Sequence, residues 1–232
     1  CLTLSDMGIT PEGSHHEEGP GQNEIDFRYS DAVASADNAM NFVTVVRAAA
    51  MHNGLYADFS PKPLADKSGN GMHINVSVKS DDGNDNMPGF MAGVLAHIKE
   101  ITAFLNPCAD SYKRLGEKKA PRYVTWSHRN RSQLIRIPAA KGDYRRFEIR
   151  SADPTANPYV AYAMIIYAGL DGIEKNLSLP EPVNENLYSA GKDITDGLES
   201  LPYTLEEANE IAKNSEFVKS VFGSNHIDFL NL

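Results

Sequence analysis

Apolar positions recur at helical spacing over residues 31–52, where Val33, Ala36, Met40, Val43, Val46 and Ala50 fall on one side and Gly54 ends the run. The same periodicity predicts a helix over residues 88–105, closing at Asn106-Pro107, with Met91, Leu95, Ile98 and Leu105 inward. His97, on that helix, reads as a structural residue rather than a ligand. A third helix, almost wholly apolar, covers residues 157–177 with Pro158 in its first turn, and a short acidic one covers residues 205–214. Strands are predicted at residues 23–29, 122–127, 133–138 and 144–151, and residues 55–60 read as a buried strand closed by Pro61-Lys62-Pro63. Residues 72–78 alternate, placing His73, Asn75 and Ser77 on one face and the apolar side chains on the other. Such a face lines a cavity or meets solvent, and the pattern does not separate the two.

The polar stretch at residues 12–29 changes the picture. Glu12, Glu17, Glu18 and Glu24 crowd around Gly19-Pro20-Gly21 together with His15 and His16. That turn composition folds the chain back on itself and brings Glu17 and Glu24 together across it. Converging carboxylates are what Mg²⁺ or Mn²⁺ requires, since hard divalent ions prefer oxygen ligands. Acidic clusters beside turns are also ordinary solvated surface, so this stretch alone leaves both readings open.

Composition narrows the class. The 232 residues, 41% hydrophobic and 23% charged, suit a globular domain with a substantial core. No apolar run approaches the roughly 18 residues of a membrane helix, and the start does not resemble a signal peptide. Residues 1–11 read as the tail of something already under way, so the chain is expected to begin inside a larger protein. Two cysteines, Cys1 and Cys108, offer neither a disulfide framework nor metal spacing, which favours a reducing, cytoplasmic setting. The net charge of −9 argues against a nucleic-acid binder. It is unevenly spread: residues 111–150 hold Arg114, Arg122, Arg129, Arg131, Arg136, Arg145, Arg146 and Arg150 with four lysines, against Glu117, Asp143 and Glu148. Arginine in preference to lysine favours shaped recognition of phosphate or carboxylate, although a basic patch pairing with the acidic remainder has the same composition.

Several short motifs follow one another along the chain. Ser14-His15-His16-Glu17 precedes Gly19-Pro20-Gly21-Gln22-Asn23-Glu24, and Pro61-Lys62-Pro63 precedes Gly69-Asn70-Gly71-Met72-His73. Ser111-Tyr112-Lys113-Arg114-Leu115, then Asn130-Arg131-Ser132 through Arg136-Ile137-Pro138, and finally Arg146-Phe147-Glu148-Ile149-Arg150 through Pro154 continue the series. Together, in this order, they resemble the catalytic domain of type I glutamine synthetase, and the likeness spans about residues 12–190. It implies an α+β fold, a curved and mostly antiparallel sheet lining the active site with helices packed outside, and a single catalytic domain over residues 1–232.

The resemblance also implies a reaction: ATP phosphorylates the γ-carboxylate of glutamate, and ammonia then displaces phosphate to give glutamine. By that likeness Glu17 and Glu24 bind one Mg²⁺ or Mn²⁺, and His73 and Glu148 a second. Arg131 and Arg136 lie near the transferred phosphate; Glu12, Tyr29, Ser77 and Arg146 meet the nucleotide; Gly69, Arg114 and Arg150 meet glutamate. A homo-oligomer, a dodecamer in the family, is implied as well.

Three departures qualify it. A Glu-x-Glu strand carrying one ligand for each metal, and a small N-terminal domain, are expected upstream of residue 1, so the chain by itself is expected to be inactive. The family's loop glutamate that takes a proton from ammonium is replaced by Lys119 in a shorter loop, with Glu117 as the neighbouring carboxylate. Tyr188 is followed by Ser189-Ala190-Gly191 and does not reproduce the family's modified tyrosine stretch. The alternatives are therefore a related ligase with another amine acceptor and a non-catalytic scaffold.

Overall fold

A computed structural model describes residues 1–81, 83–140, 142 and 145–223. The chain opens with a short helix, α1 (Leu2–Asp6), and a hairpin of β1 (Pro11–His16) and β2 (Asn23–Phe27). The reversal closes with Gln22 N donating to Gly19 O at 3.0 Å, and Gly21 takes φ +69°, which glycine adopts without a Cβ penalty. Helix α2 (Ala32–His52) follows, capped by the Asp31 carboxylate accepting from Ala34 N at 3.0 Å. Its Phe42 and Val45 close a small core with Leu4, Ile9, Ile25 and Phe27. One face of the hairpin is thereby half-buried and the other left polar.

The main core lies between two helices and a sheet. In α3 (Met87–Leu105) and α5 (Pro158–Glu174) the helix axes approach closely at glycines. A Cβ on Gly93 would stand 2.1 Å from Ala168 O, and one on Gly172 would stand 2.4 Å from Gly89 O. Strands β3 (Ile74–Val76), β4 (Trp126–His128), β5 (Ile135–Ile137) and β6 (Phe147–Ile149) form one sheet in the order β3-β6-β5-β4. The β3–β6 and β6–β5 pairs are antiparallel and β5–β4 is parallel. Ile74, Ile135, Phe147 and Ile149 are buried against the helices with Met91, Ile98, Met164 and Ile165. This is the expected α+β architecture. Short helices α4 (Ala109–Arg114), α6 (Lys192–Thr195), α7 (Leu205–Asn214) and α8 (Glu216–Phe222) complete it. Among the described residues no helix is long and apolar enough to cross a membrane.

Several local expectations are corrected. Residues 55–60 form no strand, and Tyr56 is 80% exposed. Their carbonyls at Asp58 and Ser60 are instead taken by the Asn70 side chain, at 3.2 and 2.9 Å. The apolar side predicted on α2 is not uniformly covered: Val33 is 67% and Met40 49% exposed, Val43, Val46 and Ala50 are half-buried, and Ala36 is buried together with Val45 from outside that set. That helix is apolar on several sides, so periodicity does not select a face. The strands are shorter than predicted, because pairing rather than propensity sets their ends; Tyr144, where one was to begin, lies outside the described residues. The short helices α1, α4, α6 and α8 had no periodic signal long enough to announce them.

His97 ties three elements together. Its Nε2 is 2.8 Å from Asp171 on α5, its Nδ1 bonds Glu100, and its ring stacks on Phe217 of α8 with centroids 3.9 Å apart. Partial burial pulls its pKa down, but the two carboxylates more than reverse this and raise it above the ordinary 6.5. A raised folded pKa contributes stability that is complete below pH 6.5 and is lost as pH rises through the folded value. His97→Gln in the full-length protein is therefore expected to cost about 1–3 kcal/mol near pH 6. The deficit should shrink in alkaline thermal melts; one independent of pH would show that the imidazole is not charged.

Candidate active site

The polar face of the four-stranded sheet carries the buried half of the site. Register puts Asn75 opposite Glu148 and Arg136 opposite Glu148, so β3, β5 and β6 present these side chains in one row. The period of two adds His73 and Ser77 beside Asn75, and Arg146 and Arg150 beside Glu148. Glu148, only 5% exposed, is the hub. Its Oε1 accepts from His73 Nδ1 at 3.1 Å and from Arg150 Nη1 at 3.0 Å, and its Oε2 from Arg136 Nε at 2.5 Å. Burial raises its pKa, but the His73 hydrogen bond and the Arg150 charge outweigh that and hold it well below the usual carboxylate range. Burial pulls the His73 pKa down, which favours a neutral ring. The tautomer that bonds Glu148 through Nδ1 keeps the Nε2 lone pair for a ligand.

The second half lies on the polar face of the hairpin. His15 stands opposite Glu24, and its Nε2 is 3.1 Å from Glu17 Oε1 and 3.8 Å from Glu24 Oε2. Burial, then Asp26 and then Glu17 push the Glu24 pKa up, so the cluster has more negative charge than it compensates internally. Burial also raises Glu17, but the His15 bond and the Lys119 ammonium lower it overall. One ligand atom each from His15, Glu17 and Glu24 fall within 4.8 Å of one another. That is near the span of about 4 Å across an octahedral Mg²⁺ shell, and the excess negative charge suits a cation. The cluster fits a divalent ion. His73 and Glu148 offer two donors already bonded to each other, a pair that fits an ion only with ligands from elsewhere.

Gln22 joins the halves. Its Nε2 donates to Gly69 O at 3.0 Å and to Asn70 Oδ1 at 2.9 Å, while Ser68 Oγ donates to Glu18 at 3.0 Å. Gly69 lies so tightly that a Cβ would stand 2.4 Å from Pro61 O and 2.9 Å from Arg114 Cγ. Behind it Arg114 is buried, with Nη1 and Nη2 donating to the carbonyls of Ser151 at 2.7 Å and Arg150 at 3.2 Å. Burial lowers its pKa to about 10. Gly69, Arg114 and Arg150 thus converge on one spot beside His73. Arg150 Nε and Ser151 Oγ are buried there without a hydrogen-bond partner among the described residues.

The loop after α4 closes a third side. Gly116 has φ +82° and Lys118 φ +52°, in two tight turns closed by Glu117 N to Arg114 O and Ala120 N to Glu117 O, both 3.0 Å. Lys119 Nζ reaches Glu17 Oε2 at 3.4 Å and Glu18 Oε1 at 3.2 Å. Glu117 lines a cavity of about 310 Å³ with Arg122, Tyr188 and Tyr203, whose walls include neither Glu17 nor Glu24. The Tyr188 hydroxyl lies 2.5 Å from Lys119 O and 2.6 Å from Arg131 O, sharing one proton between them. The Arg131 side chain is exposed. Ser77 Oγ donates to Arg145 O at 3.2 Å and Arg146 Nε to Asn75 Oδ1 at 3.0 Å, which keeps those two together at the sheet. Glu12 and Tyr29 are exposed at the open end of the hairpin.

Sequence reasoning missed His15 as a third donor, although its position two residues before Glu17 on a strand places both on one face. The tie made by Gln22 and the clasp made by Tyr188 span roughly 50 to 70 residues and have no local signal.

A family model for the glutamine synthetase catalytic domain matches residues 1–231. Glutamine synthetase from Staphylococcus epidermidis is 44% identical over 247 residues, covering 99% of this chain and 55% of its own length. The Staphylococcus aureus enzyme is 45% identical with the same coverage. The chain therefore spans about half the length of these curated relatives. Among solved structures, GmaS in complex with ADP superposes with a TM-score of 0.88 at 31% identity, over 100% of this chain and 57% of that one. GmaS without ligand gives 0.87 at 32% identity, over 100% and 56%.

Gly69→Ala is expected to cost about 1–3 kcal/mol, because the added methyl meets backbone at Pro61 as well as Arg114. Thermal denaturation of the full-length protein checks this, and an unchanged midpoint would mean that the loop gives way.

Proposed function

The chain belongs to the glutamine synthetase catalytic-domain family, and we propose that it serves an ATP-dependent ligation of ammonia to the γ-carboxylate of L-glutamate. The carrying observation is convergence: the His15–Glu17–Glu24 cluster, the Gly69 loop and the Arg150–Glu148–His73 group meet through Gln22 and Arg114. A γ-carboxylate oxygen of glutamate attacks the γ-phosphorus of ATP, the bond to the bridging oxygen breaks, and ADP leaves. Ammonia then attacks the γ-carbonyl carbon and phosphate departs with the bonding pair.

Each residue has a task in that scheme. Glu17 and Glu24 with His15 would hold one Mg²⁺ or Mn²⁺ ion, and His73 and Glu148 another. Such ions, when bound, neutralise phosphate charge. Arg150, whose buried Nε has no hydrogen-bond partner among the described residues, receives a carboxylate of glutamate, and Arg114 orients it through the carbonyls it holds. Gly69 leaves room for the substrate's amino-acid end. Arg136 and Arg131 hold charge as the phosphoryl group moves, and Arg146, Ser77, Glu12 and Tyr29 meet the nucleotide. Glu117 is the carboxylate near the loop that takes a proton from ammonium. Curated relatives are nearly twice as long, and the two clusters here offer three and two side-chain donors. Activity is expected to need the remainder of that length and, as the family resemblance implies, a homo-oligomer, in a cytoplasmic setting.

A second reading is favoured by one observation. The Lys119 ammonium stands beside Glu17 and Glu18, and a fixed positive charge repels ammonium, which suits an uncharged or bulkier amine acceptor.

Phosphate release by the full-length protein with ATP, Mg²⁺ and glutamate separates the readings. Strong stimulation by ammonium is expected. Stimulation by organic amines alone would transfer the site to the second reading, and silence with every acceptor would leave a scaffold.

A further inference from the structure

The loop at residues 115–120 carries three charged side chains, Glu117, Lys118 and Lys119. Lys119 is the one that crosses to the hairpin. Its ammonium lies 3.4 Å from Glu17 Oε2 and 3.2 Å from Glu18 Oε1, while the other Glu17 oxygen, Oε1, faces His15 Nε2 at 3.1 Å. Glu17 is therefore divided between two uses: one oxygen completes the His15–Glu24 cluster and the other neutralises the loop. A cation bound at that cluster would share Glu17 with a fixed positive charge. The separation would be roughly 6 Å, inside the Debye length of about 8 Å at physiological ionic strength, so salt does not remove the repulsion.

The backbone holds the lysine in this position. The Tyr188 hydroxyl grips Lys119 O and Arg131 O together, so the ammonium and the carbonyl of one residue are fixed by two different elements. The preceding residue, Lys118, sits at φ +52°, a left-handed conformation that a lysine adopts only when its surroundings impose it. Glycine at 116, φ +82°, supplies a hinge. Residues 116–119 thus combine a glycine turn, a left-handed lysine and a carbonyl clasped from another element.

We propose that Lys119 is an internal competitor of the divalent cation at His15, Glu17 and Glu24, weakening cation binding there and coupling the position of the 115–120 loop to loading of the cluster. This rests on reading the cluster as a cation site. Loading withdraws Glu17 from Lys119, leaves the ammonium to Glu18 alone and loosens the clasp.

The test is Mn²⁺ titration of the full-length protein, with free Mn²⁺ followed by electron paramagnetic resonance, so that no turnover is needed. Glu17→Gln identifies the class of sites that depends on the cluster. At that class, Lys119→Gln is expected to bind Mn²⁺ about three- to tenfold more tightly, the scale of a half-exposed ion pair. Lys119→Arg, which keeps the charge, is expected to match wild type within about twofold. Tyr188→Phe frees the loop with Lys119 intact and should tighten binding in the same direction by less. Tryptic cleavage after Lys118 should accelerate when Mn²⁺ is added to wild type. Equal or weaker binding by Lys119→Gln at sites that Glu17→Gln abolishes would overturn the competitor role and leave the cation reading standing. Mn²⁺ binding indifferent to Glu17→Gln would remove the cation reading and the proposal with it. Cleavage unchanged by Mn²⁺ would overturn the coupling to the loop.

Discussion

The buried carboxylate of Glu148 is the constraint on which the sheet and its chemistry depend. An ionised carboxylate removed from water is costly unless its oxygens are filled, and here His73, Arg136 and Arg150 fill them from β3, β5 and the end of β6. The two guanidiniums among these partners are charges that would themselves be expensive to bury alone. The four side chains therefore fix one another, and with them the register of strands only three residues long. The apolar side of the same strands packs on α3 and α5, where close glycine contacts bring the helices together. A flat core on one face and a charged row on the other are two consequences of a single alternation.

Close approach is the second theme. Gly69 has no room for a methyl because Pro61 O and Arg114 press on it from two sides, and a Cβ on Gly71 would stand 2.7 Å from Arg114 Nη2. That crowding brings the loop against Arg114, whose guanidinium is spent on the carbonyls of Arg150 and Ser151. The loop in turn presents Gly69 O and Asn70 Oδ1 to Gln22. An acidic hairpin and a basic sheet, each unfavourable as an isolated patch, are thus brought together by neutral hydrogen bonds rather than by direct attraction. The opposed charges are left for ligands: Glu24, its pKa raised by burial and then by its acidic neighbours, and Arg150, with a buried Nε unpartnered among the described residues, face no partner that satisfies them fully.

Lys119 breaks that separation. It is a basic residue from the arginine-rich stretch placed against the acidic cluster, and the Tyr188 hydroxyl keeps it there. The family resemblance had marked this position for a carboxylate that accepts a proton; the geometry gives it to an ammonium that neutralises Glu17 and Glu18. On the proposed reading of the cluster, reversal of charge at this one loop position would weaken both its hold on a cation and its tolerance of a charged acceptor.

The amino-acid sequence by itself determined the elements whose signals are local and long. The α7 boundaries, the core stripe of α3 at Met91, Leu95, Ile98 and Leu105, the Asn157 start of α5 and the Gly-Pro-Gly hairpin all follow from periodicity and turn chemistry within a few residues. The ordered motifs likewise pointed to the family, because each is a short fixed string. Tertiary structure decided the rest. Which face of α2 is buried depends on Phe27 and Leu4 arriving from another element, and whether residues 55–60 pair depends on Asn70 taking their carbonyls first. The partners of Glu148, Gln22, Lys119 and Tyr188 stand 2 to 102 residues away in the chain. Periodicity reports the side chains of one element, whereas a site is made by groups from several, and their distances are set only when all the elements have packed.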